Sequence, residues 1–220
     1  MRILHVSDTH GESEAMTRID NLAMFKSDCD VVAVTGDVVA PAKEPLTAEW
    51  NRWPQEHRFL ARGNHDQPPS VLEDLQGWKI GAPEVNLIGS LAFVSLPWKV
   101  SAADFEGLSV GDASGVVILV HSIEQLTDPS TWEKAAELVG ERPLLVLHGH
   151  DHKDAPKWEP NAEVNGKSFY RSHVCSCGHK ANKIRGAGHV IEWGDGVSSC
   201  TLVQGNEGTA RGFTKLLQYC

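Results

Sequence analysis

The sequence predicts an α/β fold in a single domain, and three observations carry that expectation. Apolar runs of four or five residues recur along the 220-residue chain, which is strand length and too short for most helices. The first two runs flank a segment whose apolar residues fall at helical spacing, forming a β-α-β unit. Clusters rich in Asp, His, Asn and Gly follow several of the runs, and open α/β sheets bind ligands just beyond the carboxyl ends of their strands.

Taken in order, Ile3-Leu4-His5-Val6 reads as a buried strand and Val31-Val32-Ala33-Val34 as a second. Between them, residues 12–26 place Ala15, Ile19, Leu22, Ala23 and Phe25 among polar residues. The spacing predicts a helix, and hence a parallel strand pair with a right-handed crossover. Arg58-Phe59-Leu60-Ala61 is a third strand, after which Pro68-Pro69 halts the chain and residues 70–75 can form a helical turn. Residues 78–100 are short apolar runs punctuated by Gly81-Ala82-Pro83, Gly89-Ser90 and Pro97, a pattern of antiparallel strands.

Residues 116–120 form a strand ending at His121, residues 130–139 a helix, and residues 144–147 a strand that runs into Gly149-His150-Asp151-His152. Beyond residue 154 the runs 167–174, 188–193 and 197–203 read as antiparallel, the last two joined by Gly194-Asp195-Gly196. Residues 204–212 are Gly-rich and polar. The domain is therefore expected at residues 1–203, with 204–220 a Gly-rich segment and a short tail that packs weakly or on a partner.

A net charge of −9 opposes binding to extended nucleic acid, which depends on Lys and Arg neutralising phosphates. No stretch is apolar enough for a bilayer span, and Met1-Arg2 leads straight into the first strand without a secretory pattern. A cytoplasmic protein without a membrane partner is the expectation. Five scattered cysteines suit reduced thiols better than a disulfide framework.

The chemistry lies in Ser7-Asp8-Thr9-His10, Gly36-Asp37, Gly63-Asn64-His65-Asp66, a lone His121 and Gly149-His150-Asp151-His152. Carboxylate, imidazole and amide groups are the donors that hard and borderline divalent ions take. Asp8 and His10 are two apart, so on extended chain both point to one side, as two ligands of one ion must; His150 and His152 share that spacing. Taken singly, each motif has a plainer reading: Asp8 and Thr9 could cap the following helix, and Asn64 and Asp66 could build a turn.

In this order, D-x-H, G-D, G-N-H-D, H and G-H-x-H, the motifs resemble those of the calcineurin-like metallophosphoesterase family across residues 8–152. The resemblance implies a four-layer α/β/β/α sandwich of two mixed sheets with flanking helices. It also implies a dinuclear centre. Asp8, His10, Asp37 and His152 would bind one ion and Asp37, Asn64, His121 and His150 the other, with Asp37 bridging. A bridging hydroxide would attack phosphorus in line, and His65 would protonate the leaving oxygen, with Asp66 fixing its tautomer. Manganese, iron, zinc or magnesium suits such a mixed N/O site.

Arg62 could reach a phosphate oxygen with its planar fork of donors. Arg-Gly-Asn-His is also how the Ser/Thr protein phosphatases of this superfamily read, but those continue with Glu and carry Asp-Arg-Gly after the second motif. Here Asp66 follows His65, and Val38-Val39-Ala40-Pro41 follows Asp37. His148 shares the parity of His150 and His152 and is equally a supporting group for a ligand or a strand-packing residue. His5 reads as core; His57 and His189 have nothing to recommend them as ligands. The run His173-Val174-Cys175-Ser176-Cys177-Gly178-His179 reads as buried small residues before it reads as a zinc site, since structural zinc draws ligand pairs from separate segments. Trp98 is placed to stack on an organic leaving group, to edge a lid or to pack in the core.

The expected protein is thus a dinuclear metal-dependent hydrolase of small phosphate esters, either phosphodiesters or phosphomonoesters. The alternatives are a metal-dependent nuclease acting on short nucleic acid and a non-catalytic scaffold. The acidic balance disfavours the nuclease. The scaffold is disfavoured because every ligand position and His65 are filled.

Overall fold

The computed structural model describes all residues except 26–27, 40–49, 68–71, 82, 154–155, 176–185, 206–212 and 220. β1 (Arg2–Val6) and β2 (Val31–Val34) pair in parallel with Ile3 opposite Val31. They are connected by α1 (Ser13–Phe25), which buries Ala15, Met16, Ile19 and Leu22. This face follows the helical repeat, so the crossover expected from the sequence is present. β3 (His57–Leu60) continues the parallel order, and so does β4 (Trp78–Ile80). β11 (Ala187–Trp193), β12 (Val197–Gly205) and β13 (Phe213–Tyr219) add antiparallel strands on the other side of β1, completing a seven-stranded sheet.

The second sheet orders β5 (Val85–Ile88), β6 (Leu91–Ser95), β7 (Gly115–Leu119), β8 (Leu144–His148), β10 (Lys167–His173) and β9 (Lys157–Val164). A short α2 (Ile123–Leu126) and α3 (Pro129–Val139) intervene between β7 and β8. The start of α3 is set by Asp128, whose carboxylate accepts the Ser130 and Thr131 amides, with Pro129 in the first turn. The helix ends at Gly140, where φ is +61°. Trp132, Ala135 and Val139 of α3 join one face of this sheet, and α1 covers the outer face of the first. Ile3, Val31, Ala33, Phe59, Phe93, Val117, Leu119, Leu145 and Leu147 fill the space between the sheets. The four-layer sandwich follows.

Three expectations need correction. Within residues 78–100 only β5 and β6 are antiparallel, joined at Gly89-Ser90; β4 runs parallel to β3 and β6 parallel to β7. Apolar runs of this length do not encode direction, whereas a two-residue connection does. Likewise β10 is antiparallel to β9 but parallel to β8. The β9–β10 hairpin turns at Asn165-Gly166, with φ of +50° and +78°, a pair suited to the tightest hairpin turn. Finally, the boundary expected at residue 203 falls inside β12, and the tail pairs with β12 as β13, with Leu202 opposite Leu217. A sheet edge recruits a strand through backbone hydrogen bonds, which leave little trace in side-chain pattern.

The seam between the sheets becomes polar toward β10 and β11. His5 Nδ1 lies 2.7 Å from Ser172 Oγ and its Nε2 3.0 Å from Thr35 Oγ1, while Ser172 Oγ also meets His189 Nδ1 at 2.7 Å. Burial holds His5 and His148 well below the usual histidine value and takes His189 down to about 3, with neighbouring histidines adding to each effect. Above pH 6.5 folded and unfolded chains both carry these rings neutral. Below it the unfolded chain takes up protons that the folded chain refuses, so stability falls as pH drops from 6.5 toward 3. For His189 the loss is about 1.4 kcal/mol per pH unit across that window, and His5 and His148 act in the same direction. Urea unfolding at pH 7 and pH 5.5 should show this acid loss, and His189→Asn should make it shallower. Equal stability at the two pH values would show that the seam protonates while folded.

Candidate metal centre

The sequence-singled residues cluster where five parallel strands end. Asp8 and His10 follow β1, Asp37 follows β2, Asn64 and His65 follow β3, His121 follows β7, and His150 and His152 follow β8. Because β1, β2 and β3 are neighbours in one sheet and β7 and β8 in the other, packing the sheets face to face brings both sets of ends together. The loops are then stitched to one another. Asp8 N donates to Gly36 O at 2.9 Å, His10 N to Asp37 O at 2.8 Å, and Gly149 N to His121 O at 3.1 Å.

Close approach of backbone and carboxylate dictates the glycines. A Cβ on Gly63 would stand 2.0 Å from Asp37 Oδ1, and one on Gly149 would stand 2.0 Å from both Asp8 Oδ2 and Ser7 Oγ. Asp8, His10, Asp37 and His150 have φ of +52°, +48°, +52° and +73°, a region that costs L-residues energy and concentrates at functional sites. The site therefore stores strain in its own ligands.

Two donor groups result. Ligand atoms of Asp8, His10, Asp37 and His152 lie within 4.8 Å of one another, and so do those of Asp37, His121 and His150. Asp37 belongs to both. Asn64 joins the second group through Oδ1, 3.1 Å from His121 Nε2. His10 Nε2 faces His152 Nε2 at 3.0 Å, and His150 Nδ1 faces His121 Nε2 at 3.1 Å. Paired nitrogens that converge on carboxylates are what a shared cation would hold together, and the mixed N/O donors fit a divalent metal.

Hydrogen bonds orient the ligands. His121 donates Nδ1–H to Thr35 O at 2.6 Å, which leaves the Nε2 lone pair for a metal. Asp37 accepts the His65 amide at 2.8 Å. Asp8 accepts the Ser7 hydroxyl at 2.5 Å and the His150 amide at 3.0 Å. Burial pushes the Asp37 carboxyl upward, but His121, the His65 amide and His10 outweigh it and hold it below the usual range. Burial likewise works to lower His121, yet Asp37, Asp8 and the Thr35 carbonyl raise it. For His10 burial wins and the value falls, despite Asp37 and Asp8. Asp37 is thus an anion at neutral pH, ready for a cation.

His65 stands over this group with its side chain 37% exposed and Nε2 4.0 Å from Asp37 Oδ2. Its ring is 5.0 Å from that of His10, edge-on. Asp66 does not face it. The buried Asp66 carboxylate accepts the amides of Asp37 (2.8 Å), Val38 (3.0 Å), Val39 (3.1 Å) and Gly63 (2.9 Å). The tautomer-fixing role expected for Asp66 is therefore replaced by a clamp between the β2 and β3 loops, because four unsatisfied amides compete for it more strongly than a neighbouring ring. Arg62 is half-buried against Gly81, and its Nε has no partner among the described residues.

His148 serves packing: it accepts Arg171 Nε–H at 2.9 Å and stacks on His173 at 4.8 Å. His173 and Cys175 are buried, whereas Cys177 and His179 lie outside the described residues. Trp98 packs its ring 5.5 Å from His121 and 5.6 Å from His150. Sequence reasoning missed the wall beside the centre, a cavity of about 660 Å³ lined by Ser122, Glu124, Gln125 and residues 150–153. The only hint was that these polar residues directly follow His121. Among the described residues no helix is long and apolar enough to cross a membrane.

A two-sheet α/β sandwich with a carboxylate–imidazole cluster at converging strand ends is a fold and site suited to holding divalent metal. The description calcineurin-like phosphoesterase matches residues 1–184, and the chain belongs to that family. No curated protein matches the sequence. Among solved structures it is similar to a double mutant of Vps29 from Entamoeba histolytica, at 15% identity over 100% of both chains and a TM-score of 0.49. A predicted phosphoesterase from Streptococcus pneumoniae shares 15% identity over 98% of this chain and 97% of its own, with a TM-score of 0.48. A novel archaeal phosphodiesterase shares 15% identity over 98% and 99%, also with a TM-score of 0.48.

Replacing Asp66 by Ala should destabilise the protein by about 2–4 kcal/mol, since it leaves several buried amides unsatisfied. Denaturant midpoints of the metal-free protein measure this. A neutral result would mean that water or loop movement satisfies those amides.

Proposed function

We propose that this protein is a dinuclear metal-dependent phosphoesterase acting on small phosphate esters, and on diesters at least as well as on monoesters. The observation that carries the reading is the buried Asp37 carboxylate common to two donor groups. Asp8, His10 and His152 complete one group, and Asn64, His121 and His150 the other. Two divalent ions held there would supply the positive charge that activates water and neutralises phosphoryl oxygens. Manganese, iron, zinc and magnesium all suit the donors.

The chain's own part is orientation and proton transfer. Asp37, anionic and fixed by the His65 amide, sets the spacing of the two groups. His65, partly exposed beside Asp37 and His10, gives a proton to the departing alkoxide, a role imidazole fills near neutral pH. Arg62, with a buried Nε to satisfy, offers guanidinium hydrogen bonds to a phosphoryl oxygen. The diester ranking rests on charge. A diester carries one negative charge where a monoester carries nearly two, and this acidic chain lacks the Asp-Arg-Gly element that adds a fixed cation in the protein phosphatases. The completeness of the ligand set and the presence of His65 favour an enzyme over a scaffold.

Metal titration followed by elemental analysis should give two ions per chain for the natural sequence, with Asp37→Ala losing affinity at both sites. One ion, or none, in the natural protein sinks the dinuclear reading. His65→Ala should retain both ions and lose about 10²–10⁴-fold in turnover of alkyl phosphate esters, with a smaller loss for p-nitrophenyl esters, whose leaving group departs without a proton. Equal losses on both substrates would remove His65 from the proton-donor role.

A further inference from the structure

Six described residues other than glycine have positive φ: Asp8, His10, Asp37, Lys99, His150 and Asn165. Four belong to the metal-ligand groups. Asn165 occupies the Asn-Gly hairpin turn between β9 and β10, where asparagine is at home. Lys99, with φ of +65°, is left over. Glycine would hold that backbone with less strain, so a side chain kept there points to a use for the side chain.

Its surroundings say what use. Residue 99 is suspended between two anchors on the wall of the metal centre. On one side the Trp98 ring rests 5.5 Å from His121 and 5.6 Å from His150. On the other the Val100 amide donates to Gln125 Oε1 at 3.2 Å, and Gln125 lines the cavity of about 660 Å³ together with His150 and His152. Lys99 is exposed, and among the described residues its ammonium is paired with no carboxylate. In a chain of net charge −9, a cation borne between Trp98 and Val100 would offset the field that repels an approaching anion.

We infer that Lys99 is a substrate-binding cation whose ammonium contacts the charged phosphoryl oxygens of an ester entering the metal centre. This rests on the phosphoesterase reading, and it adds a recognition residue that none of the family motifs contains. The ammonium meets the phosphate as a point charge, so its effect grows with the charge on the ester and shrinks with salt.

The test compares Lys99→Gly, Lys99→Asn and Lys99→Arg with the natural protein. Without metal, Lys99→Gly should melt at the same temperature or about 1–3 °C higher, since glycine relieves the strain. With Mn²⁺ bound, calorimetry with inorganic phosphate should show about three- to tenfold weaker binding for the Gly and Asn variants and near-natural binding for Arg. Metal content should be unchanged in all three. KM for p-nitrophenyl phosphate should rise by the same factor at little changed kcat, and more than KM for bis-p-nitrophenyl phosphate. Natural phosphate affinity in Lys99→Gly overturns the inference, and so does loss of metal, because Lys99 would then act through the ligands. Lys99-dependent phosphate binding without ester hydrolysis would leave the inference standing and remove the phosphoesterase reading. Hydrolysis indifferent to Lys99 would do the reverse.

Discussion

The centre is organised around one carboxylate with two obligations. Asp37 is nearly inaccessible to solvent, belongs to both donor groups, and has its backbone amide held by Asp66 and one carboxylate oxygen held by the His65 amide. A buried anion is costly unless its surroundings pay for the lost water. Here imidazoles and an amide offset part of that cost, and a cation would offset the rest. The convergence of five strand ends and the glycine at 63 bring partners to this one group, while the glycine at 149 lets the β8 loop close on Asp8 beside it.

Much of the site was legible because its chemistry is local in sequence. Each ligand motif sits within four residues, directly after an apolar run, and periodicity fixes which strand it ends. What could not be read was direction and company. The strands at residues 78–80 and 85–88 carry no mark of being parallel or antiparallel, since that depends on the path of the connection. Lys157–Val164 is an edge strand with half of its residues exposed, whose charged residues hide its strand character. Asp66 illustrates the same limit at the site. Its place beside His65 suggested a pair, but its partners come from the amides of residues 37–39 and 63, which only the meeting of two loops supplies.

The space between the sheets divides labour. Its apolar part, with Phe59 stacked on Phe93 at 5.0 Å, supplies non-directional burial that holds the two sheets together. Its polar part is directional: Ser172 bridges His5 and His189, and His5 reaches Thr35. The Thr35 carbonyl in turn takes His121 Nδ1–H. Sheet packing is in this way linked by hydrogen bonds to the orientation of a candidate metal ligand, so a shift of β10 or β11 would be felt at His121 through Thr35.

The pairing of β13 with β12 bears on how the chain behaves in company. β12 spans nine residues, one of the longest strands in the molecule, and β13 occupies its outer edge. A chain shortened after Gly205 would keep every candidate metal-binding residue while offering β12 as an open row of amides and carbonyls. Such an edge is completed by whatever strand is nearest, which at high concentration is another copy of the same protein. β13 therefore exchanges the nine-residue edge of β12 for a shorter, seven-residue edge that carries Lys215, a charge that discourages further strand pairing.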